Sequence, residues 1–172
     1  MINIFLTNLG KYNEGELVGK WVELPVSNEK LQEVLQEIGI NEEYFITDYE
    51  IDIKGIEISE YANLDDLNKI AKTLDNLDNS ELDQVKTLLE GKYITLEDIE
   101  KNNLDLDDYR FLYLDETEYN KDIALGYELA EIEGLNEKLE ELGVSSYFDY
   151  EAYGRNAIIS GAFVGNYNMA VL

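Results

Sequence analysis

The chain has no cysteine, no histidine, a single proline and only 13 lysine and arginine residues in 172. Without cysteine there is no disulfide framework and no thiolate chemistry; without histidine there is no imidazole base, no Ser-His-Asp triad and no zinc site of the usual kind. No GxxxxGK sequence occurs, so Gly10, Gly15 and Gly19 read as turn glycines between two strands and not as a phosphate cradle. The segment from Met1 to Thr7 has no basic n-region or cleavage signal, and no apolar run approaches the ~20 residues that span a bilayer. These absences lead us to expect a cytoplasmic protein without metal, cofactor or membrane contact.

What the chain does have is negative charge. Asp and Glu number 38, the net charge is −25 at pH 7, and 45% of residues are nonetheless apolar. That much Leu, Ile, Val and Tyr can bury a core and display the charge on a folded surface. Duplex DNA carries one charge per ~1.7 Å, so 25 charges match roughly 42 Å of duplex. Such a surface is repelled by nucleic acid and by acidic leaflets, and its expected partner is a basic protein surface of the kind that holds nucleic acid.

The apolar pattern predicts an α+β chain of three small domains: a sheet with one helix over 1–61, a helical unit over 62–103 and an α/β unit over 104–172. Ile2, Ile4 and Leu6 alternate with Asn3, Phe5 and Thr7, Leu17 to Leu24 forms a second strand closed by Pro25, and Ser27 caps a helix with Leu31, Val34, Leu35 and Ile38 on one face. Tyr49, Ile51 and Ile53 predict a third strand. In the middle, Leu64, Leu67, Ile70, Ala71 and Leu74, then Leu82, Val85, Leu88 and Leu89, recur at helical spacing, and Thr95 with Asp98 forms a capping box. Beyond lie a strand over 109–114, a helix over 118–133, the apolar edge Leu135, Leu139 and Leu142, an aromatic helix over 147–153 and strands over 158–164 and 167–171. The three segments carry −9, −5 and −11, so the charge is not a terminal tail.

Two chemical readings compete with a solvated acidic face. Asp105, Asp107, Asp108 and Glu116 occupy positions 1, 3, 4 and 12 of a calcium-loop register, but Tyr109 and Arg110 stand where the loop needs an oxygen ligand and a glycine. Carboxylate pairs such as Glu140 and Glu141, or those among Asp75, Asp78, Glu81 and Asp83, suit a glycosidase in principle, yet pairs arise by chance at this acidity. The aromatics Tyr147, Phe148, Tyr150 and Tyr153 lack the Lys and Arg of a base-stacking platform, with Arg155 nearly alone, and read as core or interface.

The run Asn8-Leu-Gly-Lys-Tyr-Asn-Glu-Gly-Glu-Leu-Val-Gly-Lys-Trp21, the segment Glu43-Tyr-Phe-Ile-Thr-Asp-Tyr-Glu50 and the stretch Tyr147-Phe-Asp-Tyr-Glu-Ala-Tyr-Gly-Arg-Asn156 resemble the ArdA antirestriction proteins of conjugative elements. The resemblance implies an elongated, curved, dimeric protein that mimics bent B-form DNA. It further implies a mimic that occupies the DNA groove of Type I restriction-modification complexes, on their specificity and methyltransferase subunits, and so protects incoming DNA without catalysis. The carboxylates assigned to the mimic surface are Glu29, Glu33 and Glu37 in the first segment and Asp65, Asp66, Asp75, Asp78, Glu81, Asp83, Glu97 and Asp98 in the second. In the third they are Asp105, Asp107, Asp108, Asp115, Glu116, Glu118, Glu137, Glu140 and Glu141. Self-association falls in the C-terminal region by the same resemblance, on the helical face of Ile123, Ala124, Tyr127 and Ala130. The rival classes are a metal-dependent or carboxylate-pair hydrolase and an acidic scaffold without a specific partner.

Overall fold

Alternation at the start of the chain becomes strand β1 (Ile2–Asn8), whose Ile2, Ile4 and Leu6 are buried. In this computed structural model, which describes residues 2–39, 43–118 and 120–172, β1 pairs antiparallel with β2 (Gly19–Leu24) on one side and β3 (Tyr44–Ile51) on the other. The segment between β1 and β2 is more than a turn. The side chain of Asn8 accepts a hydrogen bond from the Lys11 N–H at 3.0 Å and opens a short helix, α1 (Leu9–Asn13). Helix α2 (Asn28–Glu37) begins as expected, where the Ser27 hydroxyl oxygen accepts from the Lys30 N–H at 3.2 Å, and it buries Leu31 and Val34. Gly39 follows at φ +70°, the left-handed conformation that glycine tolerates at a helix end.

Strand β3 starts five residues before the expected Tyr49 and ends before Ile53. The reason is a bulge: the partners of Phe5 and Leu6 jump from Asp48 to Ile46, and the neighbours Phe45 and Ile46 are both buried. Alternation, the signal for a strand, is broken at that point.

Helix α3 (Leu64–Asp75) is capped by Asn63 and buries Leu64, Leu67, Ile70, Ala71 and Leu74. Helix α4 (Asn79–Glu90) buries Val85, Leu88 and Leu89, and α5 (Leu96–Glu100) opens with the capping box of Thr95 and Asp98. The chain groups into two units, residues up to Leu82 with Ile94–Leu104, and Asp83–Tyr93 with Asp105–Leu172. The helices of 62–103 are thus shared, α3 and α5 in the first unit and most of α4 in the second.

In the second unit, β4 (Phe111–Tyr113), β5 (Phe163–Val164) and β6 (Met169–Val171) form an antiparallel sheet with β6 in the centre. Helix α6 (Lys121–Ile132) starts later than residue 118 because the cap lies at Asn120, whose side chain accepts from the N–H groups of Asp122 and Ile123. Tyr119, within the expected helix, lies outside the described residues. Helix α7 (Leu135–Glu141) leaves Leu142 exposed. Helix α8 (Tyr150–Ile159) corrects the expectation of a strand from Ile158: Asp149 caps it by accepting from the Ala152 N–H at 2.9 Å, and it runs through Ile158 and Ile159. Packing on α6 overrides the strand preference of that β-branched pair. The core there joins Leu112, Leu114, Ala124, Leu125, Leu129 and Ala170, with Tyr153 and Ala157 of α8 against it.

Candidate functional site

An α-helix that buries one stripe must present the opposite face to water, and about half of the acidic residues lie in helices. Among the described residues the only fully buried polar side chains are Thr7 and Thr87, so no described carboxylate is sealed in the core. Glu29, Glu33 and Glu37 recur every fourth residue along the outward side of α2. Asp65 and Asp75 are exposed at the two ends of α3, with Asp66 half-buried beside Asp65. Asp78 and Glu81 are exposed at the start of α4 and Asp83 is half-buried; on α5, Glu97 is exposed and Asp98 half-buried. In the second unit Asp105, Asp107, Asp108, Asp115, Glu116, Glu137, Glu140 and Glu141 are exposed and Glu118 is half-buried.

These carboxylates fall into two physical groups. Some are fixed by backbone N–H groups. Asp78 and Glu81 accept from each other's N–H at 2.9 Å, Asp105 accepts from Asp107 N–H at 3.0 Å, Asp115 from Thr117 N–H at 2.8 Å and Glu118 from Asn120 N–H at 2.9 Å. Such bonds hold the charge where it stands. Asp98 lies below its ordinary pKa because the Thr95 hydroxyl and N–H donate to it, and Asp115 does so through the N–H and hydroxyl of Thr117. Glu29 is lowered by its own N–H and by the Ser27 hydroxyl, and Glu37 by Lys20.

Others meet a lysine of the same chain. Glu33 pairs with Lys30 at 2.9 Å, Asp66 with Lys69 at 3.9 Å, Glu37 with Lys20 and Glu97 with Lys101. All these pairs are open to solvent and contribute little to stability. By contrast, among the described residues Asp105, Asp107, Asp108, Glu116, Glu137, Glu140 and Glu141 make no ion pair, and neither do Glu29, Asp65, Asp75, Asp78 and Glu81, so uncompensated charge is present in both units. Among the described residues, every carboxylate with a displaced pKa is displaced downward, toward the anion and away from the protonated form that a general acid needs. Among the described residues no group of three or more acidic side chains is placed to hold a metal ion.

The helical face assigned to self-association divides. Ala124 is 3% exposed and Ala130 fully covered, both packed inside their own chain, whereas Ile123 is half-buried and Tyr127 is 48% exposed. Tyr127 stacks on Tyr150, centroids 3.8 Å apart, and Phe148 meets Tyr150 and Tyr153 edge-on. The Tyr150 hydroxyl donates to Asn136 at 2.9 Å, and Tyr153 bonds Glu133. Tyr147, in contrast, is 86% exposed.

What holds α8 in place escapes pattern reading. A Cβ on Gly126 would stand 1.9 Å from the Tyr150 carbonyl oxygen, and one on Gly154 would stand 1.9 Å from that of Asp122. The two helices touch backbone to backbone. A lone glycine inside a helical run is the sequence signal for such an approach.

The arrangement can present fixed anions to a cationic surface. Among the described residues, no helix is long and apolar enough to cross a membrane. Residues 4–168 match the family model described as antirestriction protein (ArdA). No curated protein matches the chain.

Proposed function

The chain belongs to the ArdA family of antirestriction proteins, and from that premise we propose that it inhibits Type I restriction-modification enzymes by occupying their DNA groove in place of DNA. Family membership implies an inhibitor that interacts with restriction-modification enzymes; the mimicry, the Type I target and the dimer are our reading. The observation that carries it is the placement of the charge: no described carboxylate is sealed in the core, and several are pinned by backbone N–H groups. Carboxylates at fixed surface positions act on a basic groove through the long-range attraction that steers DNA itself. No bond is made or broken. Occupancy and shape suffice, in keeping with a chain that has no His or Cys.

In this proposal the three segments 1–61, 62–103 and 104–172 share the mimic charge, and two copies joined through the Tyr127 side of α6 carry twice −25, enough for about 85 Å of duplex. The protein acts in the cytoplasm, where incoming DNA meets the host enzymes.

The test is displacement. Titrated into a Type I methyltransferase holding labelled duplex, the protein should release the DNA stoichiometrically, and added duplex should compete it off in turn. Release of DNA without formation of a protein–enzyme complex, or no release at all, rejects the proposal.

A further inference from the structure

The first unit contains a groove of about 490 Å³ lined by Phe5, Tyr12, Trp21, Phe45, Asp48 and Glu60. Its aromatics come in two edge-to-face pairs. Phe5 and Trp21 have centroids 5.4 Å apart, Tyr12 and Phe45 5.0 Å, and in each pair the planes stand 68° apart. Trp21 is 40% and Tyr12 51% exposed, while Asp48 and Glu60 are exposed carboxylates. Large aromatic rings left open to water are costly unless something covers them.

The chemistry of the lining narrows what that is. Aromatic faces attract cations through their quadrupole, and carboxylates attract them through charge. A planar guanidinium uses both at once: it is weakly hydrated, stacks on rings and donates in a fork to carboxylate oxygens, whereas an ammonium is compact and strongly hydrated. A nucleobase would stack equally well but would meet Asp48 and Glu60 without a cation to hold its phosphate. Among the described residues the only cation over a ring is Lys86 over Tyr167, so the groove is not filled by the chain's own lysines.

We propose that this groove is a binding site for an arginine side chain of a basic protein partner. The carboxylates of α2 and the second unit act at long range and are indifferent to which basic protein they meet. The groove adds a short-range contact that reads one side chain and that a DNA duplex does not offer. Naming a protein as the source of the arginine rests on the proposed function; the site itself does not.

Trp21 is the only tryptophan of the chain, so its fluorescence reports the groove directly. The full-length protein is titrated with the blocked tripeptide acetyl-Gly-Arg-Gly-amide, with its lysine counterpart and with its citrulline counterpart, which keeps the shape of arginine without the charge. The arginine peptide should give a saturable change, the lysine peptide should bind several-fold more weakly, and the citrulline peptide should give none. Asp48→Asn with Glu60→Gln should weaken arginine binding at least tenfold. Glu128→Gln with Glu131→Gln removes the same charge from the other unit and should leave it unchanged.

Equal response to arginine and citrulline overturns the proposal, as does equal weakening by the two double variants, which would mean general attraction to an acidic protein. A titration with no saturation overturns it too. Because the peptides involve no restriction enzyme, failure here leaves DNA displacement untouched, and failure of displacement leaves the groove untouched.

Discussion

Replacing Gly126 by alanine is the sharpest test of how the second unit is built. The added Cβ would lie 1.9 Å from the Tyr150 carbonyl oxygen, where ordinary contact starts near 3.4 Å. Neither partner is a side chain that can rotate away, so α6 and α8 must part locally by roughly 1.5 Å, and a gap of 0.5–1 Å already forfeits a quarter to a half of each dispersion contact it opens. The contacts at stake include Leu125, Leu129, Tyr153 and Ala157. Overpacking costs about 1–3 kcal/mol when side chains can adjust, and we place this backbone clash at the upper end. Alanine returns up to ~1 kcal/mol of helix propensity, which leaves a net loss of about 2 kcal/mol. For a chain of this length that lowers Tm by roughly 4–8 °C. Thermal unfolding followed by circular dichroism measures it, with Gly10→Ala as control, since a Cβ there meets only the Asn8 side chain at 3.4 Å. A Gly126→Ala protein as stable as the parent refutes the close crossing of α6 and α8.

Salt should act in opposite directions on fold and function: screening relieves the self-repulsion of a chain at −25 and raises Tm, while affinity for the restriction enzyme falls steeply. A flat binding response in a salt titration rejects charge mimicry. Replacing Glu33, Asp83 or Glu140 singly by the amide should change affinity by only ~0.2–1 kcal/mol, because solvated rim charges are individually weak, whereas neutralising Asp105, Asp107 and Asp108 together should cost the sum. One single amide that abolishes inhibition in a folded protein would point to a discrete active site instead. Ala130→Asp should prevent folding, since it buries a charge at a fully covered position, while Tyr127→Glu should remain folded and sediment as a monomer. A folded Tyr127→Glu dimer rejects self-association through that side of α6. Asp98 has a folded pKa below its ordinary 3.8, so its stabilising contribution is fully present above that value and lost as pH falls through the lowered one. Asp98→Ala should accordingly be less stable than the parent at pH 7, with the gap closing below about pH 4 in urea unfolding; a gap that persists in strong acid refutes the assignment.

The sequence by itself determined the elements whose signal is local. Alternation marked β1, the leucine spacing marked α3 and α4, and Ser27, Thr95 and Asp98 marked the starts of α2 and α5, because caps and amphipathic stripes involve residues within a turn of one another. It also determined the charge, and with it the expectation of a basic partner, while the runs 8–21, 43–50 and 147–156 carried the family resemblance. Tertiary structure decided whatever depends on residues distant in the chain. The bulge opposite Phe5 moved the start of β3, and contact with α6 carried α8 through Ile158 and Ile159. Packing buried Ala124 and Ala130 while leaving Tyr127 of the same helix outside, a division that helical spacing cannot make, since it places residues on a face without saying what covers that face. The groove of Trp21 and Phe45 exists only because the pairing of β2, β1 and β3 joins segments more than twenty residues apart. Sequence carries charge and periodicity, but the positions at which charges and rings stand relative to one another are fixed only when the strands pair and the helices touch.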